Sequence, residues 1–161
     1  MTDAPAPPPD RQSRLDRFAT GFAAVADALD GASDEDLDRR GPAGEWSARE
    51  VAHHLADSES MAYIRLRRLI AEDEPVIAGY DEPEWARRLH YERPIETSLE
   101  VLQAVRGASQ QLLMSLTAEE WERRGTHSES GAYSVDDWLG IYSEHSHEHA
   151  DQIRRARRGE D

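Results

Sequence analysis

Residues 47–72 read SAREVAHHLADSESMAYIRLRRLIAE, and their periodicity decides the fold. Ser47, with Glu50 three residues later, makes the capping-box pattern that starts a helix, and Trp46 just ahead is placed to staple its first turn. On a wheel advancing about 100° per residue, Leu55, Ser58, Ala62, Leu66 and Leu69 fall within about 60° of Val51. A stripe held over that length is the mark of one long amphipathic helix ending near Glu72, with Pro75 beyond it.

Outward from this segment the same signals recur. Upstream, a helix is predicted from Arg11 to Leu29, carrying Leu15, Phe18, Phe22 and Val25 and stopped by Asp30-Gly31. Ser33 to Asp36 starts a short turn of helix, and 41–44 is a loop. Downstream, 74–81 is a loop, and Asp81 to Glu84 opens a short helix with Trp85 and Leu89. Thr97 caps a third long helix bearing Leu99, Leu102, Val105, Leu112, Leu113 and Leu116. Thr117 to Glu120 is a second capping box, opening a short helix with Trp121. The polar, glycine-bearing stretch 124–133 reads as loop, and Ser134 caps a last helix running to about Arg158. No stretch alternates apolar and polar residues for long enough to argue a strand. The expectation is an all-α four-helix bundle over 11–161, with two short extra helices in the long connections. Those connections are too long for tight hairpins and are expected to cover one end of the bundle.

The 161 residues suit one domain with a core that needs no staple. There is no cysteine, so any metal must be held by imidazole, carboxylate or water. Lys+Arg is 19 against 33 Asp+Glu, a net charge of −14, which argues against nucleic acid as a partner. No apolar run approaches the roughly 20 residues that span a bilayer. The first ten residues, MTDAPAPPPD, lack the basic and apolar regions of a secretory leader, so they are expected to be disordered and the protein cytoplasmic.

Helical direction separates the seven histidines. His54 lies about 60° from Val51, at the edge of the apolar stripe, whereas His53 lies near 200° and is expected on the surface. On the last helix Trp138, Leu139, Tyr142 and Ile153 cluster within about 60° of Val135. His149 and His145 lie about 40° and 80° from it on the Trp138 side, and His147 about 120° away on the other. His90 and His127 fall in or near loops. An i, i+4 histidine pair can bite one ion, and His54 from a facing helix completes three corners of a tetrahedron. The fourth corner is left for water or substrate, as in catalytic zinc sites. The competing reading is three hydrogen-bonded core histidines with no metal.

At these residues the chain resembles the DinB-like superfamily, and most closely its YfiT-like branch, described as metal-dependent hydrolases. The resemblance runs in order through Trp46 to Glu59, Pro75 to Glu82 with Trp85, Trp121, His127 to Gly131, and Tyr142, His145, His149 and Ile153. It implies a four-helix bundle binding nickel or zinc through His54, His145 and His149. It also implies relatives that include thiol S-transferases acting with small thiols, and common homodimers. One departure is Gln152, which stands where the YfiT-like pattern carries a further histidine and which resembles the broader superfamily.

The functional expectation is a metal-dependent enzyme acting on a small molecule, either a hydrolase or a transferase for a low-molecular-weight thiol. The alternative is a non-catalytic metal-binding or stress-response module. Asp57, Glu59 and Tyr142 are candidates to orient imidazoles or relay protons, against plain readings as solvated charges and core. Tyr80 and Trp85 are candidate pocket walls on the same terms. There is no phosphate loop, dinucleotide fingerprint or Ser/His/Asp arrangement.

Overall fold

The computed structural model describes residues 9–161. Helices α1 (Pro9–Ala19), α2 (Gly21–Leu29) and α3 (Asp34–Asp38) lead to the long α4 (Ala48–Ala71). Strand β1 (Val76–Ile77) and α5 (Glu82–Arg88) precede α6 (Glu96–Ser115) and α7 (Ala118–Trp121). Strands β2 (Arg124–His127) and β3 (Gly131–Ser134) then deliver the chain into α8 (Val135–Arg157). The four-helix bundle is made by α1 with α2, α4, α6 and α8, where α8 packs on α2, α1 and α4, and α4 also packs on α6. No helix among the described residues is long and apolar enough to cross a membrane.

The caps form as their chemistry requires. Ser47, Thr117 and Ser134 each accept from the backbone N–H three residues on, and Glu50, Glu120 and Asp137 reciprocate. Arg49 extends from the first turn of α4 to Asp38 (2.6 Å) and Asp34 (2.9 Å), tying α3 down on it.

Four expectations are corrected. The first helix is not continuous: at Thr20 it tightens, Thr20 N–H donating to Arg17 O at 3.3 Å, and α1 gives way to α2. Of the segment 1–10 expected to be disordered, Pro9 and Asp10 instead open α1; the rest of that segment lies outside the described residues. The third long helix starts at Glu96 rather than after a Thr97 cap, because Ile95 is buried in the core at the N-cap position. Finally, 124–133 and part of 74–81 are not loop but a small sheet. In it β1 runs parallel to β2 (Val76 opposite Thr126) and β2 antiparallel to β3 (Gly125 opposite Tyr133). Its strands are too short to carry a readable alternation, and pairing between distant segments sustains them. Ile77 and Tyr133 anchor it in the core.

Gly125 permits that pairing, because a Cβ there would stand 2.3 Å from the Pro75 carbonyl oxygen. Gly125→Ala is therefore expected to cost about 1–3 kcal/mol by forcing β1 from β2. Urea unfolding reads this, and a loss below half a kcal/mol would mean the two strands part without cost.

The apolar core divides along the bundle. One cluster gathers Phe18, Leu66, Leu69, Leu113, Trp138, Leu139 and Tyr142; the other gathers Val25, Val51, Leu55, Leu102, Ala150 and Ile153. On each helix the residues between these sets include the buried polar ones: Glu59 on α4, Arg106 on α6, and Ser146 on α8.

Candidate metal centre

Beside this polar interval, toward the second cluster, α4 presents His54, and α8 presents His145 and His149. One nitrogen from each ring lies within 4.8 Å of the others. The ring centroids are 5.8 Å apart for His54 and His145, 4.8 Å for His54 and His149, and 4.6 Å for His145 and His149. A tetrahedral zinc ion with bonds of about 2.0–2.1 Å would hold its nitrogens ~3.4 Å apart. The donor set, three imidazoles with no thiolate, suits a divalent transition metal.

Two rings are held from behind. His145 Nδ1 donates to Glu59 Oε1 at 3.0 Å, and His149 Nδ1 donates to Gln152 Oε1 at 2.7 Å. In each the bonded Nδ1 carries the proton, so Nε2 keeps its lone pair and can face an ion. His54 is braced by the Trp46 ring, 4.8 Å away between centroids. Tyr142 packs its ring edge-on to His145 at 5.5 Å, and its hydroxyl accepts from Arg65 Nη1 at 3.2 Å.

The electrostatics favour lone pairs over protons. Burial, with the neighbouring imidazoles His149 and His145 adding to it, pushes His54 down to about 3. Burial and His145 push His149 down to about 4. Glu59 is 3% exposed. Burial alone would raise its pKa, but Arg106 (2.7 Å), His145 and Ser146 outweigh that and hold it below the ordinary carboxylate value. It is a carboxylate facing an imidazole, an arrangement that orients metal-ligating histidines elsewhere.

Residues 6–153 match the sequence model of the DinB superfamily. The chain belongs to the DinB superfamily. A relative from Oceanobacillus iheyensis named "Putative metal-dependent hydrolase" is 43% identical over 121 residues, covering 75% of this chain and 70% of its own length. One from Halalkalibacterium halodurans, with the same descriptive name, is 32% identical over 111 residues, covering 69% and 65%. The chain thus spans about two thirds of the length of these curated relatives. Among solved structures it is similar to YfiT from Bacillus subtilis, with a TM-score of 0.86 and 28% identity over 98% of this chain and 92% of that one. That protein is described as "a probable metal-dependent hydrolase with an unusual four-helix bundle topology".

In this DinB-superfamily chain the remaining candidates sort by contact. Glu59 touches the cluster through His145 and is no solvated helix charge. Asp57 instead accepts from the Tyr91 hydroxyl at 2.7 Å, tying the connection before α6 to α4. Tyr142 is both core and a wall of the cluster. Tyr80 and Trp85 pack together, centroids 4.4 Å apart, and the Tyr80 hydroxyl is buried without a hydrogen-bond partner among the described residues. Tyr80 also lines an open cleft of about 520 Å³ with Glu82, Ser128 and Glu129.

The expectation that His53 is a surface residue is corrected. Its ring is buried, bonded through Nδ1 to Ser98 Oγ at 2.7 Å and through Nε2 to Arg93 O at 2.9 Å. Its direction away from the core stripe points it at α6 and the connection, which cover that side of α4. His147 bonds the Arg17 carbonyl at 2.9 Å, and His90 pairs with exposed Glu92 at 3.1 Å. His127 packs on Tyr133 in the sheet.

Arg106 belongs to no motif in the sequence, although Leu102, Arg106, Ser109 and Leu113 recur at helical spacing on the buried side of α6. An arginine inside an apolar stripe is the signal that was available. Gln152, a departure from the YfiT-like pattern, bonds His149 where an orienting acceptor is wanted.

The low values of His54 and His149 bear on stability without metal. Between those values and the ordinary 6.5, the unfolded chain binds protons that the folded chain refuses. Stability therefore falls as pH drops below about 6.5, by up to about 1.4 kcal/mol per pH unit for each such group. Urea unfolding in chelator at pH 7 and pH 5 is expected to show a steeper loss in wild type than in His54→Gln. Equal slopes would defeat the assignment.

Proposed function

We propose that this chain is a metal-dependent hydrolase of a small-molecule substrate, holding one divalent cation, zinc or nickel, through His54, His145 and His149. The observation that carries the reading is the convergence of the three imidazoles with two of them backed by acceptors, His145 by Glu59 and His149 by Gln152. The names of its relatives support the same class. Held by those three imidazoles, such an ion would supply Lewis acidity and activate water near neutral pH.

The chain's own residues prepare that chemistry. Burial keeps His54 and His149 unprotonated at neutral pH, so the donors compete little with protons. Glu59 and Gln152 hold the rings in the orientation and tautomer that present Nε2, so less ordering is needed on binding. Trp46 and Tyr142 shield the flanks of the cluster from water.

The test uses protein loaded in turn with zinc and nickel and assayed on simple esters and amides. Thiol-independent hydrolysis that a chelator abolishes and metal restores is expected. Conjugation of a generic electrophile that requires an added small thiol would move the assignment to the transferase class. Stoichiometric metal uptake with neither activity would favour the non-catalytic module.

A further inference from the structure

We propose that Arg106 is a positioning residue: lodged against the Gly21 gap, it clamps Glu59 so that His145 is held with its proton on Nδ1 and its Nε2 lone pair free. The consequence for metal rests on His145 being a ligand, as argued above; the clamp itself does not.

All four parts of the bundle meet at this level. Arg106, on α6, is 4% exposed. Its Nη1 donates to Glu59 Oε1 on α4 at 2.7 Å, and its Nη2 donates to the Phe18 carbonyl on α1 at 2.7 Å. Both nitrogens also lie 3.4 Å from the Tyr142 carbonyl on α8, and the guanidinium carbon sits 3.9 Å over the Phe18 ring. Ser146 Oγ adds a third donor to Glu59 Oε1 at 3.2 Å, beside His145 Nδ1. A carboxylate only accepts, so the imidazole that meets it must donate. Because the guanidinium fork is planar and pinned at two ends, it fixes which oxygen of Glu59 faces α8.

Two further features fit a clamp better than a plain buried ion pair. A Cβ on Gly21 would stand 2.5 Å from Arg106 Nη2, so the start of α2 is shaped around the guanidinium. The carbonyl that receives Nη2 belongs to the tightened turn between α1 and α2, which is the departure from a continuous first helix. A buried pair serving stability alone is commonly replaceable by apolar residues of similar volume, at little loss or with gain. That gives a way to separate the two roles.

The experiment reads the imidazole nitrogens of 15N-labelled, metal-free protein together with zinc affinity by competition against a chelator. Wild type is expected to show His145 as the Nδ1–H tautomer. Arg106→Met combined with Glu59→Leu removes both charges and keeps volume, so it is expected to melt near the wild-type temperature. In that variant His145 should revert to the commoner Nε2–H tautomer, and zinc should bind about 10- to 100-fold more weakly. Gly21→Ala contacts no histidine and favours helix, yet by displacing the guanidinium it is expected to shift the same tautomer signal and weaken zinc binding. An unchanged tautomer in both variants would overturn the clamp and leave Arg106 a structural ion pair. If wild type shows the Nδ1–H tautomer but takes up no zinc, the clamp stands and the metal reading fails.

Discussion

Alanine at both His145 and His149 is expected to abolish stoichiometric zinc or nickel uptake. The two imidazoles are one turn apart on α8 and face His54 across the α4–α8 contact, with ring centroids 4.6 to 5.8 Å apart. Without them a single buried imidazole remains, and one neutral nitrogen does not offset the dehydration of a divalent ion. Because metal binds the folded state, the wild type should also gain stability on loading, about 2.7 kcal/mol at a hundredfold excess over Kd. The double variant should gain none. Elemental analysis of untagged protein and thermal unfolding with and without zinc check both statements. Undiminished metal content in the variant would sink the three-histidine reading, and a wild type that binds no metal would sink it sooner.

Trp138→Ala is expected to cost about 3–5 kcal/mol of folding stability, the range for deleting a large core side chain. Trp138 is 1% exposed and sits between Phe18 and Tyr142, ring centroids 5.6 and 4.9 Å away. Its indole N–H donates to the Ala62 carbonyl at 2.9 Å across the α4–α8 contact. The substitution leaves a cavity and takes away a donor to the buried Ala62 carbonyl. For a chain of this length each kcal/mol moves Tm by roughly 2–4 °C, so a fall of roughly 6–20 °C is expected. Tyr142 flanks His145, so zinc affinity should fall as well. Urea unfolding gives the first quantity; a loss below about 1 kcal/mol would show that the pocket collapses freely around the missing ring.

The helices were legible because amphipathic stripes and capping boxes are local. Ser47 with Glu50 and Ser134 with Asp137 bond as their spacing requires, and Val51, Leu55, Leu66 and Leu69 lie in the core. The histidine cluster was legible for the same reason, since position on a helix is direction, and His54, His145 and His149 point inward on facing helices. His53 shows where that reasoning stops. A wheel tells which way a side chain leaves its own helix, but not what waits there, and Ser98 and Arg93 come from elsewhere in the chain.

By itself, then, the sequence determined the long helices α4 and α8 with their caps, the stripes from which the bundle is built and the three inward histidines, because each follows from spacing within about one helical turn. The sheet, the turn at Thr20, the burial of His53 and the chain of contacts from Phe18 through Arg106 and Glu59 to His145 were decided only by tertiary structure. These depend on atoms tens of residues apart meeting within 3 Å or so. No local preference encodes such a meeting, and packing of the assembled bundle creates it.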